Sequence, residues 1–235
     1  MSSQRYSPDF KVFDSKKAAA VALAEHIADR LESAVTQRGE ASLIVSGGTS
    51  PLATFRALRR HKLPWHKITV VPSDERLVPP DHEDSNEGMI LRELVQEEAA
   101  AARLLSLAGT GTLEASPLAD LTRPLDIVVL GMGDDGHTAS LFPDSPDIAD
   151  ALRSTEDCIL QQPAHLEVKR LSLTPALLLD AREIVLLFFG SKKRAVYERA
   201  QAGGRIAEMP VRFVLQQHKV PVFAYWAPST DEVPL

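Results

Sequence analysis

Apolar positions follow two alternating patterns along the chain. Short runs rich in β-branched residues predict buried strands, and longer segments with apolar residues three or four apart predict amphipathic helices. The strands are predicted at residues 42–45, 68–71, 125–130, 183–189 and 221–226. The helices are predicted at residues 15–37, from Pro51 to about 60, at 85–102 and at 191–201. Near-continuous apolar strands that alternate with helices indicate an α/β fold, with a mostly parallel sheet and helices on both faces.

The first predicted helix has clear end signals. Ser15 is a suitable N-cap, and Gly39 follows the last apolar position as a stop signal. No repeat or low-complexity linker interrupts the pattern, and residues 143–150 are predicted to be a loop rather than a domain boundary. With 235 residues, the chain is expected to form a single domain over residues 1–235.

Charge and cysteine content narrow the possible partners and the compartment. The net charge of -6 argues against a broad nucleic-acid surface, so the positive charge for binding any anion must be local. The single cysteine, Cys158, permits no intrachain disulfide and favours a reducing compartment. Residues 1–15 are polar, and no apolar run approaches the roughly 20 residues of a membrane span. We therefore expect a cytoplasmic protein without a membrane partner.

Four predicted strands end in turns rich in glycine and polar residues. These turns follow Val45, Val71, Leu130 and Phe189. Ligands of open parallel sheets bind outside the carboxyl ends of the strands. The four turns are therefore expected to contribute to one site.

The turn after Val45 spans residues 46–51 and is predicted to bind phosphate. Gly47 and Gly48 let backbone N–H groups approach an anion, and the hydroxyls of Ser46 and Thr49 add donors. A tight strand-to-helix turn without a ligand is the alternative explanation. The segment is neither a Walker motif nor a dinucleotide fingerprint.

The turn after Val71 continues as residues 73–79. Asp74 and Arg76 follow the buried strand and are placed at the mouth of the predicted site. The alternative is a solvated loop start without a function. Ser85, further along, is a plausible N-cap of the next helix, so we do not assign it to a ligand.

The turn after Leu130, residues 131–143, is the most informative. It carries three glycines and one histidine, His137, whose side chain suits proton transfer near neutral pH. Asp135 lies two residues earlier and is placed to orient the imidazole. Ser140 is close by, but the absence of a G-x-S-x-G motif disfavours a serine nucleophile.

Two further segments contribute candidate cations. Arg170 begins the segment 170–174, and Lys193 lies in the segment 190–193, where a helix is predicted to start after a strand. A lysine there can supply a point charge for phosphate, although a solvent-facing lysine is the ordinary alternative. The other histidines show no metal-ligand spacing, so we predict no metal site; they are His26, His61, His66, His82, His165 and His218.

Taken together, these segments resemble the 6-phosphogluconolactonase family. The matching segments are SGGTSP at 46–51, SDERLVP at 73–79, DSN at 84–86, GMGDDGHTASLFP at 131–143, RLSLT at 170–174 and GSKK at 190–193. The family is similar in fold to the glucosamine-6-phosphate deaminases, which implies a modified Rossmann-like fold. One departure is mild: the first loop reads GGTS where many relatives have GGST.

The resemblance implies hydrolysis of a phosphorylated sugar lactone in the oxidative pentose phosphate pathway, without metal or cofactor. His137 would act as the base, and Asp135 or Asp74 would orient the imidazole or its water. Arg76 would bind either the reacting end or the phosphate. The phosphate-binding residues would be Ser46, Gly47, Gly48, Thr49, Arg170 and Lys193. The sequence leaves open whether the protein is a monomer or a homodimer.

Two other functions are weighed against this one. The deaminases resemble this chain around His137, but they carry a glutamate shortly afterwards and tend to have a tyrosine where Arg76 stands. Here residues 138–143 contain no acid, which favours the lactonase. A non-catalytic sugar-phosphate sensor would normally carry a DNA-binding helical module, whereas residues 1–40 offer one predicted helix without a basic face.

Overall fold

The computed structural model describes residues 7–107 and 117–229. The strands are β1 (Asp9–Val12), β2 (Ala41–Val45), β3 (Ile68–Pro72), β4 (Asp74–Arg76), β5 (Arg103–Leu104), β6 (Ile127–Leu130), β7 (Cys158–Gln161), β8 (Arg170–Leu173), β9 (Ile184–Phe189) and β10 (Val222–Ala227). The helices are α1 (Lys16–Arg38), α2 (Leu52–Leu58), α3 (Asn86–Glu93), α4 (Ile148–Ala151), α5 (Pro175–Leu178), α6 (Ser191–Gln201) and α7 (Arg212–Leu215). No helix in these two ranges has the length and apolar character that crossing a membrane requires.

Seven strands form one parallel sheet in the order β1-β10-β9-β6-β2-β3-β5. Alternate side chains of its apolar strands point to opposite faces, so Ile44 joins one buried cluster while Leu43 joins the other. Apolar residues of α1, α2 and α3 cover one face, and those of α5, α6 and α7 cover the other. The predicted α/β fold, with helices on both faces of a mostly parallel sheet, is confirmed.

Local signals set the limits of α1 as predicted. The Ser15 hydroxyl accepts from the N–H of Ala18 at 3.1 Å, which satisfies one of the free donors of the first turn. At the other end Gly39 adopts a φ of 86°, and its N–H donates to the carbonyl of Val35. Glycine occupies this left-handed conformation without steric cost, so the helix ends here.

Several predicted boundaries were wrong. The helix predicted at 85–102 ends at Glu93, and Glu97 has a φ of 52°, which an α-helix cannot accommodate; a 3-10 turn follows over Glu97–Ala101. The loop predicted at 143–150 contains the start of α4. A second sheet was not predicted: β4, β8 and β7 pair antiparallel in the order β4-β8-β7.

The strand order reverses between β2 and β6. From β2 the chain moves outward to β3 and β5, and then returns to the other side of β2 at β6 before it continues to β9 and β10. Such a reversal opens a crevice at the carboxyl ends of the two central strands. The four turns singled out in the sequence follow β2, β3, β6 and β9, which are adjacent strands, so they meet at this crevice.

Candidate functional site

A pocket of about 280 Å³ occupies the crevice between β2 and β6. Its walls come from all four turns and from β8. Every predicted site residue except Asp135 lines it: Ser46, Gly47, Gly48, Thr49, Asp74, Arg76, His137, Arg170 and Lys193. The structure therefore brings together residues that lie up to 147 positions apart in the sequence.

Asp135 holds His137 from outside the pocket. Its Oδ1 lies 2.7 Å from the imidazole Nδ1 and also accepts from the His137 backbone N–H at 3.0 Å. Burial opposes ionisation of Asp135, but the hydrogen bonds from His137 and the charge of its ring outweigh that effect and lower the carboxyl pKa to about 2. In the neutral imidazole, an ionised carboxylate at Nδ1 favours the tautomer with the proton on that nitrogen, and this tautomer leaves the lone pair on Nε2.

Glycine is required beneath the imidazole. A Cβ on Gly133 would lie 2.1 Å from Nδ1 of His137 and 2.6 Å from Oδ1 of Asp135, closer than a Cβ atom can approach an atom to which it is not bonded. The Gly133 N–H also donates to the His137 carbonyl at 2.9 Å. Gly133 is therefore explained by the close packing of the loop around the histidine–aspartate pair, whereas Gly136 is favoured by its φ of 85°.

Asp74 belongs to a buried network rather than to the imidazole. Its Oδ2 accepts from the Ser140 hydroxyl at 2.7 Å and its Oδ1 from the Ser73 hydroxyl at 2.9 Å. Of the two carboxylates considered for orienting His137, only Asp135 contacts the imidazole. Ser140 is fully buried, which agrees with the sequence-based argument against a serine nucleophile.

Ser46 joins the turns on the two sides of the crevice. Its hydroxyl accepts from the N–H of Gly131 at 3.1 Å and lies 3.0 Å from the hydroxyl of Ser73. The Ser46 side chain lines the pocket, but these bonds engage its oxygen within the protein. Ser46 therefore holds together the turns that follow β2, β3 and β6.

Two residues that shape the pocket were not identified from the sequence. The buried Glu75 carboxylate accepts from the N–H groups of Arg76, Asn86 and Glu87 at 2.6, 2.8 and 2.6 Å; burial raises the pKa of Glu75, and these bonds oppose the rise. The hydrogen bonds to the Glu75 carboxylate anchor the start of α3. There the Ser85 hydroxyl accepts from the Gly88 N–H, so Ser85 is the N-cap as predicted.

The contacts of Glu75 with the start of α3 place Asn86 against Gly47 in the turn after β2. Its Nδ2 donates to the carbonyl of Asp74 at 2.8 Å, and its Oδ1 accepts from Arg76 at 2.9 Å. A Cβ on Gly47 would lie 1.9 Å from Oδ1 of Asn86, so glycine is needed here to let the two turns touch. The DSN segment at 84–86 was the available sequence signal.

Arg76 and Arg170 form a concentrated positive charge in the pocket wall. They are register partners in the antiparallel β4–β8 pair. Burial and the neighbouring charge of Arg76 lower the pKa of Arg170. Both Nε atoms are buried without a hydrogen-bond partner within the described ranges. Arg76 does donate through Nη1 to the Asp84 carbonyl at 2.5 Å, which fixes the position of its guanidinium.

Lys193 faces the same pocket from the start of α6. Burial lowers the pKa of Lys193; the carboxylate of Asp134 opposes this effect and the charge of Lys192 reinforces it. The adjacent Lys192 points outward and forms a 2.6 Å ion pair with Asp134. Within residues 7–107 and 117–229, neither Arg76, Arg170 nor Lys193 forms an ion pair with a carboxylate, so the pocket offers positive charge to an anionic ligand.

The family model described as glucosamine-6-phosphate isomerases/6-phosphogluconolactonase matches residues 14–223. The chain belongs to this family. Among curated members, it is 42% identical to the 6-phosphogluconolactonase of Rhizobium meliloti over 231 residues, which cover 94% of this chain and 100% of that protein. It is 41% identical to the 6-phosphogluconolactonase of Pseudomonas aeruginosa, with 93% of this chain and 94% of the relative covered.

Solved structures of the family show the same fold. A 6-phosphogluconolactonase from Shewanella baltica superposes with a TM-score of 0.91 at 37% identity, covering 95% of this chain and 99% of that one. A monomeric glucosamine-6-phosphate deaminase superposes with a TM-score of 0.73 at 18% identity, covering 94% and 97%. The second likeness concerns the fold alone. The sequence-based assignment to the family is confirmed.

Proposed function

We propose that this protein is a carboxylic ester hydrolase that converts 6-phospho-D-glucono-1,5-lactone to 6-phosphogluconate in the oxidative pentose phosphate pathway. One observation carries the proposal: a histidine that contacts a carboxylate faces a pocket whose cations have no carboxylate partner among residues 7–107 and 117–229. A lactone needs water, a base and a fixed position, and the phosphate of this substrate supplies the anion. The relatives at 40% identity and above are named 6-phosphogluconolactonases.

In the proposed reaction, Nε2 of His137 takes a proton from water as the water oxygen attacks C1 of the lactone. The C1–O5 bond then breaks, and the imidazolium gives its proton to the departing ring oxygen, which becomes a hydroxyl. The new carboxylic acid at C1 releases its proton to solvent. Asp135 keeps the Nδ1 proton in place and stabilises the transient imidazolium. Asp74, which also lines the pocket, is assigned to hold the turns and to orient the attacking water.

The phosphate end is assigned to the positive wall of the pocket. The backbone N–H groups of Gly47, Gly48 and Thr49 supply neutral donors, while Arg170 and Lys193 supply charge. Arg76, whose role the sequence left open, lies beside Arg170 and is assigned to the same anion. Phosphate held there positions the lactone against His137, which lowers the entropic part of the barrier.

Substrate choice distinguishes this function from its closest alternative. We expect acid release from 6-phosphogluconolactone and no ammonia release from glucosamine 6-phosphate, because residues 138–143 offer no acid for the ring-opening relay of the deaminases. The two products are measured by pH-stat titration and by an ammonia-coupled assay with the same protein sample. Ammonia release with no lactone hydrolysis would reassign the protein as a deaminase, and binding of both compounds without turnover would reassign it as a sensor.

Chelation is expected to leave lactone hydrolysis unchanged. Across the two described ranges, no three histidine, cysteine, aspartate or glutamate side chains are grouped so that they can hold a metal ion. The rate is compared before and after exhaustive dialysis against a chelator, with a zinc-dependent hydrolase as the positive control. Loss of activity that a divalent ion restores would contradict a cofactor-free reaction.

The remaining proposals concern the setting of the enzyme. Residues 1–235 are proposed to form one domain, active as a monomer or a homodimer. The net charge of -6 supports a protein without a nucleic-acid partner. A single cysteine, Cys158, supports a cytoplasmic location, because it requires no oxidising compartment.

A further inference from the structure

Phe142 connects the proposed base with the cations of the pocket. Its ring centroid lies 4.2 Å from that of His137, with the planes tilted by 33°. The guanidinium carbon of Arg170 lies 5.6 Å from the same ring centroid, within the range of a cation–π contact. Phe142 itself lines the pocket and is only 4% exposed.

The phenyl ring of Phe142 adds a constraint to the orientation of each of its two neighbours, His137 and Arg170. Asp135 binds the His137 imidazole through Nδ1, and Gly133 packs against Nδ1 and Cε1, so Phe142 is a further contact that limits the tilt of the ring plane. The Nε of Arg170 has no hydrogen-bond partner within the described ranges, so that atom does not fix the guanidinium. A rigid ring in contact with both side chains limits both motions at once.

Phe142 is in turn held from behind. The imidazole of His165 meets its ring edge-on, with centroids 5.5 Å apart and an angle of 71°. Nδ1 of His165 lies 2.5 Å from Oδ2 of Asp144, which fixes that histidine on the loop between β7 and β8. The phenyl ring therefore contacts His137, Arg170 and His165. Because it is held in place itself, it can restrict the orientation of His137 and Arg170.

We propose that Phe142 is a positioning residue that sets the plane of His137 and the direction of Arg170 together, so that the proton-transfer end and the phosphate end of the pocket keep a fixed relation. The inference rests on the proposed lactonase function. It predicts two simultaneous defects when the ring is lost: slower turnover, through His137, and poorer discrimination for the phosphorylated substrate, through Arg170.

The test compares Phe142→Leu with Phe142→Tyr and with Phe213→Leu. Phe213 is 5% exposed, close to the 4% of Phe142, and belongs to the apolar core, but it does not line the pocket, so its substitution controls for the loss of a buried phenyl ring. We expect Phe142→Leu to lower kcat by about 10- to 100-fold, the order expected for a misplaced catalytic group. The preference for the phosphorylated over the unphosphorylated lactone should shrink in the same variant. Phe142→Tyr, which keeps the ring, should retain both properties.

Proton NMR of the His137 ring provides a measurement that does not depend on activity. The Phe142 ring current should shift the His137 ring protons, which are assigned by their disappearance in His137→Ala, and the shift should be lost in Phe142→Leu alone. Unchanged His137 resonances in Phe142→Leu, or equal losses of kcat in Phe142→Leu and Phe213→Leu, would overturn the inference. If the resonances move but the wild-type protein does not accelerate hydrolysis of the phosphorylated lactone, the proposed function fails while the positioning by Phe142 stands.

Discussion

Replacing His137 with alanine is expected to lower kcat for the phosphorylated lactone by about 10²- to 10⁴-fold, the usual contribution of a positioned acid–base group. The imidazole is the side chain that would both remove a proton from water and return one to the ring oxygen, so both bond changes lose their catalyst. KM should change little, because the cations that we propose to bind phosphate lie on other elements. Initial rates across substrate concentrations, corrected for spontaneous hydrolysis, separate the two parameters.

His66→Ala is the matched control for that measurement. His66 is exposed and lies in the 3-10 turn Trp65–Lys67, and it does not line the pocket. Its removal should leave kcat and KM unchanged. A His137→Ala variant with near-normal kcat would remove this residue from the mechanism, and an equal loss in His66→Ala would indicate a general effect of histidine removal.

Replacing Lys193 with alanine is expected to reduce kcat/KM for the phosphorylated lactone by roughly 10–150-fold. A hydrogen bond to a charged group is worth about 1.5–3 kcal/mol, which corresponds to that range. The acidic chain repels a dianionic substrate at long range, so each local cation matters. Toward unphosphorylated gluconolactone, the wild type and the variant should be almost equally poor. Kinetics with both lactones measure the difference.

Lys192→Ala provides the internal control for the position of the amine. The Lys192 side chain is 77% exposed and is paired with Asp134 outside the pocket, whereas Lys193 lines it. Exposed ion pairs contribute little, so this variant should keep the wild-type preference for phosphate. Damage in Lys192→Ala but not in Lys193→Ala would place the functional amine one residue earlier. Full phosphate preference in both variants would move the phosphate site away from the start of α6.

The sequence predicted the five inner strands of the main sheet because each is a run of apolar residues, whereas the edge strands β1 and β5 were not predicted. Residues 184–189 are a continuous apolar run, as expected for a strand covered on both faces, and the glycine-rich turns mark where such strands end. Ligands of parallel sheets bind outside the carboxyl ends of the strands, and this rule predicted that Gly47, His137 and Lys193 meet at one site. Residue type and position in a turn were enough to find these side chains.

The small β4-β8-β7 sheet, and the position of Arg76 beside Arg170 that results from it, could not be predicted because they depend on contacts between distant segments of the chain. β4 has only three residues and no apolar run, and its pairing with β8 joins segments nearly a hundred residues apart. That pairing sets Arg76 beside Arg170. Likewise, the fit of Asn86 against Gly47 is a tertiary contact, and the glycine alone did not indicate its partner. Helical periodicity extended the predicted helix past Glu93 because nothing local showed the turn at Glu97.

We propose that the pocket between β2 and β6 accelerates hydrolysis of 6-phosphogluconolactone. The most direct measurement is the rate of acid release from freshly prepared 6-phosphogluconolactone at neutral pH, with and without the protein, recorded by pH-stat before spontaneous hydrolysis consumes the substrate. We expect catalytic, saturable acceleration that is proportional to protein concentration and is largely lost in His137→Ala. A rate equal to the spontaneous one at micromolar protein, for a folded wild-type sample, would contradict it.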